Sequence, residues 1–274
     1  YTVYTAWSGR CDQALKLYEK ISQNSNQEAF LITAIADCVS EQQGLSQGIT
    51  MLEKWEKLYP QDKDIDKSIK DKRDELQMHL RPYIDFSASS NNSAVPNQPG
   101  VSGSDIVEYT YSIRYTHPIS EPLSAYARYI TISSDDPNNT TEDLNRIGVG
   151  VSYAVNPQLT FIEDYAQDND GDNGGSTTTV KYNPHSQWEL SLEYASYSED
   201  VPLLALPQDT KTDRTSFTWF YHTPNYQFEW LNSISKYNFE KGDLLAGQED
   251  NRRTEIASEL SYALELSEKR EQRI

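Results

Sequence analysis

The sequence predicts an α + β chain: helical hairpins over residues 1–81, then antiparallel transmembrane β-barrel strands over residues 82–274. Three observations carry this. The hydrophobic period changes from helical to alternating at Tyr83, and the connections between the alternating segments are short and long by turns. The aromatic residues are 19 Tyr and 5 Trp against 7 Phe, a balance that suits surfaces half apolar and half wet.

The helical part is read first. Gln13-Ala-Leu-Lys-Leu-Tyr-Glu-Lys-Ile21, Ala29 to Val39 and Ile49 to Tyr59 carry apolar residues at helical spacing. A third amphipathic stretch, Ile65 to Leu80, is highly charged and meets Arg81-Pro82, where a helix should stop. Gly9, Ala14, Leu15 and Tyr18 align with Gly44, Gly48, Ile49 and Leu52 at a period of roughly 34 residues. With Pro60 closing the second unit, the pattern resembles tetratricopeptide repeats, although Gly48 stands where the first unit has Ala14. An ordinary helical hairpin would show the same spacing. Cys11 and Cys38 fall in adjacent helical elements, either paired in an oxidising compartment or left as two buried thiols.

From Tyr83 the period is two. Val107, Tyr109, Tyr111, Ile113 and Tyr115 share one face of a segment whose other face holds Glu108, Thr110, Ser112 and Arg114. Val149, Val151 and Tyr153 alternate with Gly148, Gly150 and Ser152 in the same way. Ten such segments fit, near 83–90, 105–116, 122–132, 144–155, 159–167, 175–183, 187–197, 214–222, 226–238 and 252–266. Several approach the length of about 9–11 residues that a tilted strand needs to cross a bilayer. No run of about 18 apolar residues occurs and mean hydropathy is −0.74, which excludes helical spans.

The connections choose between architectures. The short ones carry proline: Thr116-His-Pro118, Val155-Asn-Pro157, Tyr182-Asn-Pro184 and His222-Thr-Pro224. The long ones are polar and acidic: 91–104, 133–143, 168–174, 198–213 and 239–251. A soluble all-β sheet with one wet face also alternates, but it has no reason to sort its turns by length to opposite ends. An outer-membrane barrel does, with short turns on the periplasmic side. The helical part precedes the first strand and so falls on that side. Tyr182, Trp188, Tyr221, Tyr226, Trp230 and Tyr262 lie at or near strand ends, as interfacial girdles require.

If the apolar face meets lipid, the polar face lines a lumen. That face then holds Asp85, Glu108, Glu189, Glu193, Glu229, Glu255, Glu259 and Glu265 against Arg114, Arg128 and Lys181. The formal net charge is −18, of which residues 1–80 hold −3 and residues 81–274 hold −15. An acidic channel recruits cations and repels anions. The same balance argues against a nucleic-acid partner, whose phosphates need a basic face. Acidity also simply keeps wet loops soluble.

Signatures of covalent chemistry are lacking, so neither enzyme activity nor a cofactor is expected. The sequence holds no His-Glu-x-x-His, Gly-x-Ser-x-Gly, phosphate loop or Cys-x-x-Cys. His117, His185 and His222 each fall in or beside a short proline turn, away from any nucleophile. Asp168-Asn-Asp-Gly-Asp-Asn-Gly-Gly175 looks calcium-like, but its glycine comes too early and the bidentate Glu is missing. No metal site is expected there.

Helical repeats running into such strands resemble the poly-N-acetylglucosamine export porins of biofilm-forming Gram-negative bacteria, the PgaA type. The local match is best at Leu192-Glu-Tyr-Ala-Ser-Tyr-Ser-Glu-Asp-Val-Pro-Leu-Leu-Ala-Leu206, continues from Thr212 to Tyr221, and includes Asp250-Asn-Arg-Arg253. Val201 and Leu204 stand where that family carries Thr and Arg. The resemblance implies a porin in the outer membrane that passes a partly de-N-acetylated, cationic polysaccharide outward. Its repeat domain would lie in the periplasm and recruit the polymer or a periplasmic deacetylase. It implies a larger barrel of sixteen strands, and Ser267-Glu-Lys-Arg-Glu-Gln-Arg-Ile274 reads as a periplasmic turn inside such a barrel. Other functions on the same plan are export of another exopolysaccharide such as cellulose, a non-transporting anchor or adhesin, and a barrel lipase or protease. The last needs a clustered Ser/His/acid set, which the histidine positions disfavour.

Overall fold

The computed structural model describes residues 1–21, 28–94, 105–135, 142–169, 174–185, 187–197, 212–223, 227–239 and 252–262. Five helices come first: α1 (Thr2–Trp7), α2 (Cys11–Ile21), α3 (Ala29–Gln43), α4 (Leu45–Glu56) and α5 (Lys63–His79). They bury two apolar clusters. One gathers Ala6, Cys11, Ala14, Ala34, Ile35 and Cys38, the other Ile32, Ala36, Leu52, Ile65 and Ile69. Helix α3 contributes to both, which is why its apolar residues run nearly all round it. A disulfide joins Cys11 to Cys38 with Cα atoms 5.0 Å apart, resolving the alternatives left by the spacing.

Helix boundaries follow local chemistry. The Asp62 carboxylate accepts from the N–H groups of Asp64 and Ile65 at 3.0 and 3.3 Å, which starts α5. Helix α4 starts at Leu45, four residues before the expected Ile49, because Gly44 adopts φ +103° and ends α3 there.

Ten strands follow: β1 (Tyr83–Ala94), β2 (Asp105–Ser120), β3 (Leu123–Asp135), β4 (Glu142–Asn156), β5 (Leu159–Asp168), β6 (Gly174–His185), β7 (Trp188–Ala195), β8 (Thr212–His222), β9 (Phe228–Phe239) and β10 (Arg252–Tyr262). They form one antiparallel sheet in simple sequence order. No pairing joins β1 to β10 among the described residues. No helix is long and apolar enough to cross a membrane.

Two of the expected proline turns are not turns. Strand β2 runs through Pro118 to Ser120 with a register shift between them, and the chain reverses at Glu121-Pro122. Strand β6 likewise runs past Pro184 to His185, with a shift between Tyr182 and His185. Proline has no N–H for a ladder, so it is tolerated where a bulge already interrupts pairing. His117 and His185 therefore sit inside strand ends rather than in turns. Pro157 does lie in the β4–β5 turn, whereas Pro224 falls outside the described residues.

Candidate functional site

Register assigns every strand residue to a face, since directly opposed residues share one. Tyr111 opposes Thr131, Ile113 opposes Tyr129 and Tyr115 opposes Ala127; further along, Ala127 opposes Val149, which opposes Tyr165. The apolar row continues through Phe161–Val180, Val180–Leu192, Leu192–Phe217, Phe217–Ile234 and Ile234–Ile256. These large side chains are exposed: Val149 by 57%, Leu192 by 52% and Ile256 by 76%. Water-soluble sheets do the opposite.

Over the middle strands the polar face is the better covered one. Asp164, Arg146, Thr179 and Ser216 are 5%, 1%, 7% and 8% exposed. Smaller polar groups are thus better covered than the Tyr and Val opposite them, so the sheet curls with its polar face on the concave side. The apolar side is not free of polar groups: Glu163 opposes Val151 there and accepts from Thr178 Oγ1 at 2.6 Å, Lys236 shares the row of Thr215, and Asn232, opposite Trp219, is buried.

Aromatics gather on the apolar face near the short-turn end. Trp188, Tyr221 and Trp230 share one row across β7, β8 and β9, with Trp188 and Tyr221 ring centroids 4.9 Å apart. Tyr262 opposes Phe228, and Tyr182 opposes Leu159 and Leu190 on the same side. Trp230 donates through Nε1 to Ser258 Oγ at 3.1 Å, an apolar ring with a satisfied polar edge. Tyr226 lies outside the described residues.

On the concave face, register puts Asp85, Glu189, Glu193, Glu229, Glu255 and Glu259 on the same side as Arg114, Arg128 and Lys181, while the Glu108 side chain lies outside what the structure describes. Glu265 lies outside the described residues. The face carries more basic residues than the three read from the sequence. Arg146, Arg214 and Arg253 share it, and most carboxylates are matched. Arg128 holds Asp164 in a two-point bond at 2.5 and 3.0 Å, Lys181 meets Glu189 at 3.4 Å, Arg214 pairs with Glu193, and Arg253 pairs with Glu255. Asp85 opposes Arg114 directly. Asp164 and Asp168 also belong to this set; the weak alternation of residues 159–167 hides the first, and the loop-like composition that begins at 168 hides the second.

A groove of about 610 Å³ lies over the middle of this face. It brings together Glu189, Glu193, Lys181, Arg128, Asp164 and Arg214, while Asp85, Glu255 and Glu259 sit on the outermost strands. Arg128 reaches Asp164 by passing over β4 at Gly148 and Gly150, its register partner and the next residue on that face. An added Cβ at Gly150 would overlap the Tyr126 ring, and one at Gly148 would press on Arg128 Nε at 3.0 Å. The two glycines open a passage along which both side chains lie flat. Arg114 in turn covers the Tyr126 ring, 4.5 Å from its centroid.

At the long-loop end stands Arg146, with Nε 2.6 Å from Asp168 Oδ1. Its guanidinium lies 3.9 Å over the Tyr197 ring, and the Tyr197 hydroxyl donates to Asp168 Oδ2 at 2.8 Å. Burial, then the Asp168 contact, pushes the Tyr197 phenol up to about 12, with Arg146 partly offsetting them.

The helices meet the sheet at its short-turn end. There Glu121 receives the N–H groups of Leu45 and Ser46, the latter at 2.9 Å. Among the described residues no cluster of His, Cys, Asp and Glu could hold a metal ion.

No family model matches the chain, and no curated protein matches it either. Among solved structures, the crystal structure of the outer membrane channel DcaP of Acinetobacter baumannii aligns with 63% of this chain at 14% identity and a TM-score of 0.30. The chain spans 62% of that channel's length. A likeness at that level bears on neither strand number nor cargo.

Proposed function

We propose that this chain forms part of the wall of an outer-membrane porin that exports a partly de-N-acetylated, cationic poly-N-acetylglucosamine. The observation that carries the reading is the inverted sheet. Its Tyr-, Val- and Ile-rich face is open to the surroundings, and its charged face is concave and covered over the middle strands. In water that arrangement loses the burial that drives folding, whereas in a bilayer the apolar face is solvated by acyl chains. Among the described residues β1 and β10 are unpaired on their outer sides, and open edges cannot persist in lipid, so the proposed wall is closed by pairing outside those residues.

The concave face then acts as a conduit without covalent chemistry. The polymer's protonated amines would exchange with Arg and Lys for carboxylates such as Glu189 and Glu193. Asp85, Glu229, Glu255 and Glu259 extend that path across the sheet. Each exchange replaces one ion pair by another, so the holding stays weak at any one point and the polymer can move. The helices, in the proposed orientation, lie in the periplasm as tetratricopeptide-like repeats that receive the polymer or a deacetylase.

One observation favours a second cargo. Because most carboxylates already have basic partners, the excess of acid is smaller than composition suggests, which suits a neutral exopolysaccharide such as cellulose. Ion selectivity in planar bilayers separates the two. The cationic cargo requires cation preference that falls when Glu189, Glu193 and Glu259 are changed to Gln. Indifference to those changes disfavours it.

A further inference from the structure

The chain after β7 does not rise away from the sheet. Ser196 still donates its N–H to the Ser176 carbonyl at 2.8 Å, and its hydroxyl accepts from the Ser176 N–H at 2.9 Å. Tyr197 then takes φ +51°, a left-handed conformation that a tyrosine rarely adopts, and the chain turns over the concave face. It crosses β6 at Gly175, where an added Cβ would overlap the Ser196 carbonyl.

Beyond that crossing Tyr197 is held at every polar group it has. Its carbonyl accepts from Arg146 Nη1 at 2.8 Å, its hydroxyl donates to Asp168 Oδ2 at 2.8 Å, and its N–H donates to Asp213 Oδ1 at 3.3 Å. Arg146 is on β4 and Tyr197 follows β7, three strands away, a span of roughly 14 Å at ordinary strand spacing. Arg146 is 1% exposed beneath it, and its Nη2 has no hydrogen-bond partner among the described residues. An uncompensated buried donor is costly, and here the π face of the Tyr197 ring is what covers it.

Resting on the conduit reading above, we propose that Tyr197, strapped across the wall by Arg146 and Asp168, sets the size limit at the long-loop mouth. The backbone of Ser196 and Tyr197 and the tyrosine ring occupy cross-section that β5 and β6 would otherwise leave open. Such a strap admits a single extended, unbranched polysaccharide chain and turns back branched or folded ones. Because Arg146 and Asp168 neutralise each other, the strap selects by width and leaves charge selection to the groove below.

The test uses the full-length protein in planar bilayers, with polyethylene glycols of graded size as probes of the bore. Tyr197→Ala removes the ring and hydroxyl. Gly175→Ala displaces the strap while keeping the Tyr197, Arg146 and Asp168 side chains unaltered in kind. Both variants should raise unitary conductance roughly twofold, as a wider constriction does, and admit a larger glycol, with strand content by circular dichroism unchanged. A wild-type channel that conducts but whose size limit neither variant moves overturns the strap while sparing the conduit. A wild-type protein that inserts and does not conduct overturns both.

Discussion

Glu121, in the turn between β2 and β3, caps helix α4 from 75 residues away by accepting the N–H of Ser46 at 2.9 Å and that of Leu45 beside it. Those amides begin a helix, where they have no partner within it and where the helix dipole favours negative charge. One carboxylate thus satisfies two free donors and fixes the helices against the short-turn end of the sheet. Glu121→Ala should cost about 1–2 kcal/mol of local stability. The effect is read as faster amide exchange at Leu45 and Ser46, with exchange in β3 and β4 unchanged.

The Arg128–Asp164 crossing depends on the absence of side chains on β4. Gly150→Ala places a methyl group against the Tyr126 ring and the Glu163 carbonyl. Overpacking of this kind costs about 1–3 kcal/mol. Gly150→Ala should therefore lower the urea midpoint of unfolding, and Tyr126→Ala in the same chain should restore part of the loss. A double variant as unstable as the sum of the singles would contradict the crossing.

The Cys11–Cys38 bond closes a loop across 27 residues of sequence between α2 and α3. Loop-closure entropy assigns it about 3–4 kcal/mol. Changing both cysteines to serine should lower the thermal midpoint of the helical part, followed by far-ultraviolet dichroism at helix wavelengths. Strand signals should keep their midpoint.

Most of the strand layout was legible because a period of two, repeated over long segments, is a strong local signal. Lys181, Glu189 and Glu193 could be put on one face by parity alone. What was not legible depends on long-range pairing. Gly44 sets the start of α4, but the carboxylate that caps it comes from Glu121, a residue no local window contains. The bulges at Pro118 and Pro184 read as turns because proline marks both, and only the partner strand tells them apart. The ion pairs join residues far apart in sequence, across neighbouring strands for Arg146–Asp168 and Arg214–Glu193 and over the β4 glycines for Arg128–Asp164, so composition showed the acids and hid their partners. Gly148 and Gly150 read as gaps in a polar face, and their use as a passage appears only once Arg128 and Asp164 are in register.

Face assignment predicts opposite responses to one substitution. Val149 is 57% exposed on the apolar face, between Ala127 and Tyr165, whereas Ser191 lies on the concave face and lines the groove. Arginine on a lipid-facing strand position costs about 2–4 kcal/mol near the bilayer centre. Val149→Arg should reduce folding into lipid vesicles by that amount, and Ser191→Arg should leave it nearly unchanged. Equal penalties, or the reverse order, would contradict the inverted sheet.

The Tyr197 phenol gives the strap a pH limit. Its ordinary value is 10.0, and burial with the Asp168 contact raises it to about 12 in the folded chain. A group raised on folding favours the protonated state, so its contribution is fully present below about pH 10 and is lost as pH climbs through 12. Ionisation would set a phenolate against the Asp168 carboxylate, and the Tyr197 oxygen would have no proton left to donate. The strap should therefore release between those values. Ultraviolet absorbance at the phenolate band, compared with Tyr197→Phe, should show one tyrosine titrating late. Asp168→Asn should bring that titration back toward 10, because it removes the carboxylate charge while keeping an acceptor oxygen.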